Sequence, residues 1–202
     1  MRFLVYLAAI ALLFGMAGCG SSGSAVEESG YPVAVIQTGF GDIEVELYDD
    51  KAPVTVENFL KYVDAGLYEN GRFHRVVNHE NDPNQPVHKI NVIQGGRTRQ
   101  RGGQQGFPAI PLERTNITGI KHKNGVISMA RSGPDTATSD FFICINDQPS
   151  LDYDGMRNQD GQGFGAFGKV VRGMDVVLEI YKQPYEGQSF SPVIAINNIV
   201  RR

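Results

Sequence analysis

The polar loop at residues 78–90 carries the densest group of side chains that could do chemistry. His79, Glu80, Asp82 and His88 stand close together there, and imidazole and carboxylate groups can together bind a divalent cation. A working metal site also needs ligands that supporting contacts hold in a fixed geometry. A loop interrupted by prolines offers no regular element to hold them. We therefore predict a polar loop and no metal.

A glycine-rich segment later in the chain matches a nucleotide-binding pattern in its letters alone. Gly163, Gly165 and Gly168 stand at the G-x-G-x-x-G spacing, which binds phosphate where it follows a strand and opens a helix. The residues that follow, Lys169–Val171, instead predict a strand. We expect a tight loop that leads into this strand, and no nucleotide cofactor.

Other catalytic patterns are missing from the sequence or stand in the wrong surroundings. The sequence contains neither H-E-x-x-H nor G-x-S-x-G, the signatures of zinc proteases and serine hydrolases. Cys144 lies in the apolar run Phe141–Ile145, where a buried thiol is inert rather than nucleophilic. The sequence therefore does not favour covalent or metal-assisted hydrolysis as the activity of this protein.

The composition fits one ordinary globular domain that is not directed at nucleic acid. The chain has 202 residues, 41% of them hydrophobic and 20% charged, with a formal net charge of −3. A slightly acidic protein has no general attraction for phosphate backbones. We therefore expect the basic run at 97–103 to be a solvated loop. Two cysteines are too few for a disulfide scaffold or for a zinc site of three or four cysteines.

Residues 1–18 predict a secretory signal. Arg2 supplies the positive start, and Phe3–Phe14 is an uninterrupted apolar run that is too short to span a bilayer. The segment Met16–Cys19 resembles a bacterial lipoprotein signal, which implies that Cys19 is acylated and becomes the mature N-terminus. The alternative is an ordinary cleaved signal followed by an incidental cysteine.

The segment after the signal predicts a tether and one folded domain. Residues 19–30 are small, polar and glycine-rich, and so are expected to be flexible. The domain then occupies residues 31–202. The resemblance to lipoproteins implies an exported protein whose lipid anchors it in the bacterial cell envelope. No acidic residue directly follows Cys19, and in a cell with two membranes this pattern resembles that of lipoproteins sent to the outer membrane, facing the periplasm.

The periodicity of the domain predicts mostly strands with two helices. In Asp42–Tyr48, apolar and acidic residues alternate strictly, as in a half-buried strand. Apolar residues at helical spacing follow Pro53 and recur at Met174, Val177, Leu178 and Tyr181. Several strands with two helices predict a closed barrel, which leaves no exposed sheet edge. The remaining predicted strands are 33–38, 73–77, 92–94, 126–130, 141–146, 166–171 and 193–200.

Five segments in a fixed order strongly resemble the cyclophilin family of peptidyl-prolyl isomerases. The resemblance extends from about Val33 to Val200 and implies a closed eight-stranded antiparallel β-barrel capped by two α-helices. It also implies an enzyme that binds proline-containing peptides and unfolded or exported proteins, acts as a monomer and needs no cofactor. The segments are Phe73–Val77, Val92–Gly96, Gly125–Arg131, Ala137–Ile143 and Phe167–Val170.

The resemblance assigns a role to each candidate site residue. Arg75 matches the catalytic arginine, Gln94 the glutamine that orients it, and Phe142 the aromatic floor of the proline pocket. The other substrate-binding positions that the resemblance implies are apolar wall residues, a strand edge that meets the substrate backbone, and polar or aromatic groove residues. These are Val92 and Leu151, then Ala130 and Arg131, and finally His74, Asp140 and Phe164.

The chemistry that the resemblance implies needs no nucleophile. An X–Pro amide rotates over a barrier of about 20 kcal/mol because its nitrogen donates electron density into the carbonyl. Twisting the bond removes that resonance, so a donor aimed at the prolyl nitrogen stabilises the twisted state more than either planar state. A guanidinium carries five donors in a rigid plane, and Arg75 could therefore hold the prolyl carbonyl and face the nitrogen together.

The sequence departs from the family pattern at several groove positions. Ser150 stands where well-known relatives have Trp, Phe164 where they have His, and Asp140 where Gln is common. We expect the extra loop at 78–90 to overhang the groove and Asp140 to pair with Arg75 or Arg131. Two functions therefore stay open, an active isomerase and a cyclophilin-fold peptide-binding module or chaperone with little turnover.

Overall fold

The computed structural model describes residues 30–83, 85–98 and 106–202. The expected signal at 1–18, the acylated Cys19 and nearly all of the tether lie outside the described residues. Most of the basic run at 97–103 also lies outside them.

Antiparallel strands dominate the domain, and their bounds agree closely with the predicted segments. The strands are β1 (Val33–Thr38), β2 (Gly41–Leu47), β3 (Gly71–Val77), β4 (Val92–Gly96), β5 (Val126–Met129), β6 (Phe141–Cys144), β7 (Gly165–Arg172), β8 (Tyr185–Glu186) and β9 (Ser189–Arg201).

Within the described chain, eight of these strands form a closed barrel. Each strand pairs with the next in the order β1, β2, β7, β5, β6, β4, β3 and β9, and β1 then pairs with β9 to close the ring. The short β8 pairs with β9 as the other arm of a hairpin. The predicted closed eight-stranded barrel is therefore confirmed, and closure leaves the eight barrel strands without a free edge.

Two helices cap the barrel, as predicted. The helix α1 (Pro53–Asp64) begins with proline at a favourable first position and packs against β7 and β9. After the four-residue helix α2 (Thr115–Thr118), the helix α3 (Met174–Tyr181) packs against β2 and β4. Within α3, Val177 and Ile180 are fully buried, whereas Leu178, one of the residues at the helical spacing, is exposed.

The alternation of side chains across β4 and β6 divides the apolar residues into two groups. Ile93, Phe141 and Ile143 point into the barrel, where they are fully buried in the main core. Because neighbouring residues of a strand face opposite sides, Val92 and Phe142 point outward. They belong to a smaller outer cluster, which consists of Val77, Ile90, Val92, Phe142, Cys144 and Leu151, with Ala130 and Phe164 packed against it.

Three short elements were not predicted. They are α2, a 3-10 turn at Pro149–Leu151 and β8, and the last strand begins at Ser189 rather than at the predicted Val193. The hairpin of β8 and β9 lies beside β3, and its β9 strand places Ser189 opposite Arg75. In the described part of the chain, no helix is both long and apolar enough to cross a membrane.

Candidate active site

A cavity of about 180 Å³ opens on the outer face of the barrel, over the outer cluster. It brings together eight of the ten predicted catalytic and substrate-binding residues, which are Arg75, Val92, Gln94, Ala130, Arg131, Phe142, Leu151 and Phe164. Three lining residues were missed by sequence reasoning, namely Ile90, Arg157 and Asn158. His74 and Asp140 are not among its described lining residues.

Two glutamine side chains hold the guanidinium of Arg75. Arg75 Nη1 donates to Gln94 Oε1 at 2.9 Å, as the resemblance implied. Arg75 Nε and Nη2 both donate to Gln188 Oε1, at 3.0 and 2.6 Å. Partial burial and the neighbouring Arg157 lower the pKa of Arg75, but a guanidinium stays charged at any physiological pH. Among the described residues, these contacts engage three of its five N–H groups.

Phe142 forms the floor of the cavity and is held from two sides. Its ring stacks on His122, with centroids 6.0 Å apart and an interplanar angle of 16°. Phe164 meets it edge to face, with centroids 5.3 Å apart and an angle of 89°. Val92 and Leu151 pack beside it in the outer cluster. A small apolar ring entering the cavity would therefore meet a rigid, apolar surface.

A buried array of Ser128, His122 and Asp152 supports that floor. Burial lowers the pKa of His122, although Asp152 opposes this effect, so the ring is neutral. An ionised carboxylate can only accept, so His122 Nδ1–H donates to Asp152 Oδ1 at 2.9 Å and Nε2 accepts the Ser128 hydroxyl at 3.0 Å. Ser128 is fully buried. The array resembles a hydrolase triad in composition, but its serine cannot reach a substrate.

The contacts of Arg131 and Ala130 differ from those of a free strand edge. Both terminal nitrogens of Arg131 donate to the Asp160 carboxylate at 2.8 Å, and its Nε donates to the Gly163 carbonyl at 2.8 Å. The guanidinium also lies over the Phe164 ring, 5.0 Å from its centroid. Ala130 N donates to the backbone carbonyl of Asp140 at 2.8 Å. Arg131 is thus a fixed wall of the cavity.

The expected pairing of Asp140 with Arg75 or Arg131 is wrong. Arg131 is taken by an acidic residue of its neighbouring loop, and Arg75 by two glutamines. Asp140 Oδ1 instead accepts a long hydrogen bond of 3.4 Å from Ser139 Oγ. The Asp140 carboxylate lies close to His74, whose pKa is lowered by burial and raised in part by this charge. Asp140 and His74 therefore interact with each other and do not line the described part of the cavity.

The extra loop at 78–90 is anchored to the cavity wall. Asp82 is buried and forms an ion pair with Arg157 Nη1, which also donates to the His88 carbonyl at 3.0 Å. Ile90 at the end of the loop lines the cavity itself. The loop therefore contributes one wall residue directly and holds a second, Arg157, in place. Because these contacts join distant segments, no local pattern in the sequence indicated them.

The other candidate sites from the sequence take structural roles. Asp82 faces Arg157 rather than the loop histidines, and His79 contacts Asn91. Across the described ranges, no group of three or more His, Cys, Asp or Glu side chains is arranged to hold a metal ion. The glycine-rich segment leads into β7, as predicted, and does not open a helix. Cys144 is fully buried, and burial raises the pKa of its thiol.

The family model and the similar sequences point to the same family. The family model described as "Cyclophilin type peptidyl-prolyl cis-trans isomerase/CLD" matches residues 33–200. The chain is 38% identical over 149 residues to peptidyl-prolyl cis-trans isomerase B of Escherichia coli (strain K12), covering 73% of this chain and 83% of that protein. It is 37% identical over 150 residues to a peptidyl-prolyl cis-trans isomerase of Acinetobacter baylyi, covering 74% and 71%.

Comparison with solved structures agrees with the sequence match. A cyclophilin type peptidyl-prolyl cis-trans isomerase of Cryptosporidium parvum, crystallised in the presence of the dipeptide Ala-Pro, superposes with a TM-score of 0.67 and 25% identity. The match covers 84% of this chain and 98% of that one. The family match over 33–200, the bacterial relatives above 30% identity and the shared barrel together show that this chain belongs to the cyclophilin-type peptidyl-prolyl cis-trans isomerases.

Proposed function

We propose that this isomerase acts on X-Pro bonds of exported proteins by a non-covalent mechanism centred on Arg75. One observation carries the proposal: the Arg75 guanidinium is fixed beside the apolar floor of the cavity, with two N–H groups not engaged by the described residues. A prolyl ring on Phe142 would place its carbonyl and nitrogen near these donors. These donors would bind the twisted amide more strongly than the planar amide, and this difference lowers the barrier to rotation.

Pre-organisation is what makes this arrangement effective. A free arginine side chain would lose rotational freedom when it meets the twisted amide, and that loss would raise the barrier. Gln94 and Gln188 fix the guanidinium before substrate arrives. Both partners are neutral amides, so they accept hydrogen bonds without cancelling the positive charge of Arg75.

The test is the cis-to-trans relaxation of a short X-Pro peptide with the intact chain and with Arg75→Ala. The chain should accelerate relaxation strongly, and the variant should lose at least about 100-fold, as for removal of one key transition-state donor. Arg72→Ala is the matched control, because Arg72 lies on the same strand but is exposed. Equal rates for Arg75→Ala and the intact chain would exclude the Arg75-centred mechanism.

A peptide-binding module or chaperone with little turnover is the second candidate. The observation in its favour is that two arginines of the cavity wall, Arg131 and Arg157, already form ion pairs with acidic residues of the protein. In that case the intact chain would bind proline peptides and unfolded proteins without accelerating relaxation. Arg75→Ala would then leave the binding of unfolded chains nearly unchanged.

We further propose that the protein is exported and anchored by lipid at Cys19, in the periplasm-facing outer membrane where two membranes are present. The apolar run Phe3–Phe14 and the small residues before Cys19 support this location. The experiment is labelling with a fatty-acid analogue followed by membrane fractionation. The intact chain should be labelled and sediment with membranes, and Cys19→Ala should lose the label. An unlabelled, soluble wild-type protein would exclude the anchor.

A further inference from the structure

Gln188 reaches Arg75 because the hairpin of β8 and β9 brings it there. It stands directly before β9, next to Ser189, which is the cross-strand partner of Arg75. Its backbone carbonyl accepts a hydrogen bond from Val76 N at 2.9 Å. Gly187 supplies the left-handed backbone that this tight hairpin requires, with φ of 59°. The backbone therefore fixes Gln188 beside the guanidinium independently of its side chain.

The Gln188 side chain bridges the guanidinium and the extra loop. Its Oε1 accepts from Arg75 Nε and Nη2, while its Nε2 donates to the Asn81 carbonyl at 3.1 Å and to Asp82 Oδ1 at 3.4 Å. The orientation of the amide is unambiguous, because a guanidinium has donors alone and a carbonyl and carboxylate have acceptors alone. The donors at Oε1 and the acceptors at Nε2 therefore require the same orientation of the Gln188 amide.

We propose that Gln188 is a second positioning residue for Arg75, and that the loop at 78–90 sets it through Asn81 and Asp82. This inference rests on the proposed role of Arg75. Gln94 holds one terminal nitrogen, whereas Gln188 holds the Nε edge and thereby fixes the rotation of the guanidinium plane. Asp82 is itself held by Arg157 of the cavity wall. The inserted loop is thus connected to the catalytic group through one amide.

The alternative is that Gln188 merely stabilises the hairpin. A structural role would lower the stability of Gln188→Met without moving the Arg75 side chain. A positioning role changes the environment of the Arg75 Nε–H directly. This signal is observable by NMR in the intact protein, and Arg75→Lys identifies it because that variant lacks the group. Glu186→Gln is the matched control, since Glu186 is an exposed residue of the same hairpin.

The experiment measures solvent exchange of the Arg75 Nε–H, together with kcat and KM for a proline peptide, in the wild type, Gln188→Met and Glu186→Gln. We expect exchange in Gln188→Met to quicken and kcat to fall about 10- to 100-fold with KM nearly unchanged, as for slight misplacement of a catalytic group. Glu186→Gln should match the wild type in all three quantities.

Several outcomes would overturn the inference. In the wild type, the Arg75 Nε–H would exchange as freely as that of an exposed arginine. Alternatively, Gln188→Met would leave the exchange rate unchanged, or it would change the exchange rate while the enzyme kept full activity. The wild-type measurement can overturn the inference even if Gln188→Met fails to fold, because a freely exchanging signal would show that the Nε–H of Arg75 is not held. If the wild type accelerates no relaxation, the proposed function fails, and the exchange data alone still decide whether Gln188 positions Arg75.

Discussion

Gln94 and Phe142 are direct cross-strand partners in the antiparallel pair of β4 and β6. The residue that holds Arg75 and the floor of the cavity therefore stand side by side on the outer face of the barrel. Directly opposed residues of antiparallel strands have Cβ atoms roughly 5 Å apart. The register of this strand pair thus sets the spacing between Gln94, which accepts from Arg75, and the apolar surface of Phe142. A shift of β6 by one residue would turn Phe142 inward and remove the floor of the cavity.

Replacing Gln94 by Met should reduce catalysis without unfolding the protein. Met keeps most of the volume but cannot accept the hydrogen bond from Arg75 Nη1, so the guanidinium loses one of its two supports. We expect a loss of roughly 10-fold in kcat/KM, measured by relaxation of an X-Pro peptide. Gln37→Met on β1 is the control and should leave the rate unchanged. An equal loss in both variants would contradict the role of Gln94.

Removing the aromatic floor should weaken binding more than it affects the chemical step. Phe142→Ala deletes a ring that is nearly fully buried against His122, Phe164 and the rest of the outer cluster. We expect KM or Kd for a proline peptide to rise, and the free energy of unfolding to fall by about 3 kcal/mol or more. Binding is measured by titration and stability by denaturant unfolding. Unchanged peptide affinity in a folded variant would mean that the ring does not line the proline site.

Stability should fall as the solution becomes acidic because His122 is buried in its neutral form. Burial lowers its pKa in the folded state below the usual 6.5, so the unfolded chain binds the proton more tightly. The free energy of unfolding should therefore decrease as pH falls below about 6.5, by at most about 1.4 kcal/mol per pH unit for one proton. His74, whose pKa is also lowered by burial, acts in the same direction.

Two variants separate the contributions to that pH dependence. His122→Gln should flatten the dependence between pH 6.5 and the lower folded pKa, whereas His74→Gln should flatten it less. The pKa of Asp152 is lowered by its hydrogen bonds from His122, which outweigh partial burial, so a second loss should follow as pH falls below 3.8. The measurement is denaturant unfolding across pH. The same slope in His122→Gln and the wild type would show that His122 is not the group responsible.

The buried ion pair of Asp82 and Arg157 should show strong coupling. The Arg157 and Asp82 side chains are only 10% and 4% exposed, so Asp82→Ala leaves a buried, uncompensated charge and should cost about 3–5 kcal/mol of stability. Adding Arg157→Met removes that charge, and the double variant should be more stable than the two single changes predict. Additive effects in this double-mutant cycle would mean that the pair is not coupled. The exposed pair of Lys123 and Asp147 is the matched control and should be nearly additive.

The sequence by itself determined the features that depend on local periodicity. Alternation in β2 predicted its buried face, and proline before an apolar helical pattern predicted α1. Once the resemblance assigns Phe142 to the proline pocket, the two-residue period of a strand places Phe141 in the core. The family motifs then placed Arg75, Gln94 and the apolar wall, and the structure brings these together in one cavity.

Tertiary structure alone decided the contacts between distant segments. Gln188 lies 113 positions from Arg75, and Asp82 lies 75 positions from Arg157. No local pattern marks these residues, because each pairing depends on how the barrel closes and on where two loops meet. The same reason explains the wrong pairing predicted for Asp140. Residue types set which partners are possible, whereas closure of the barrel decided which partners came within hydrogen-bond reach.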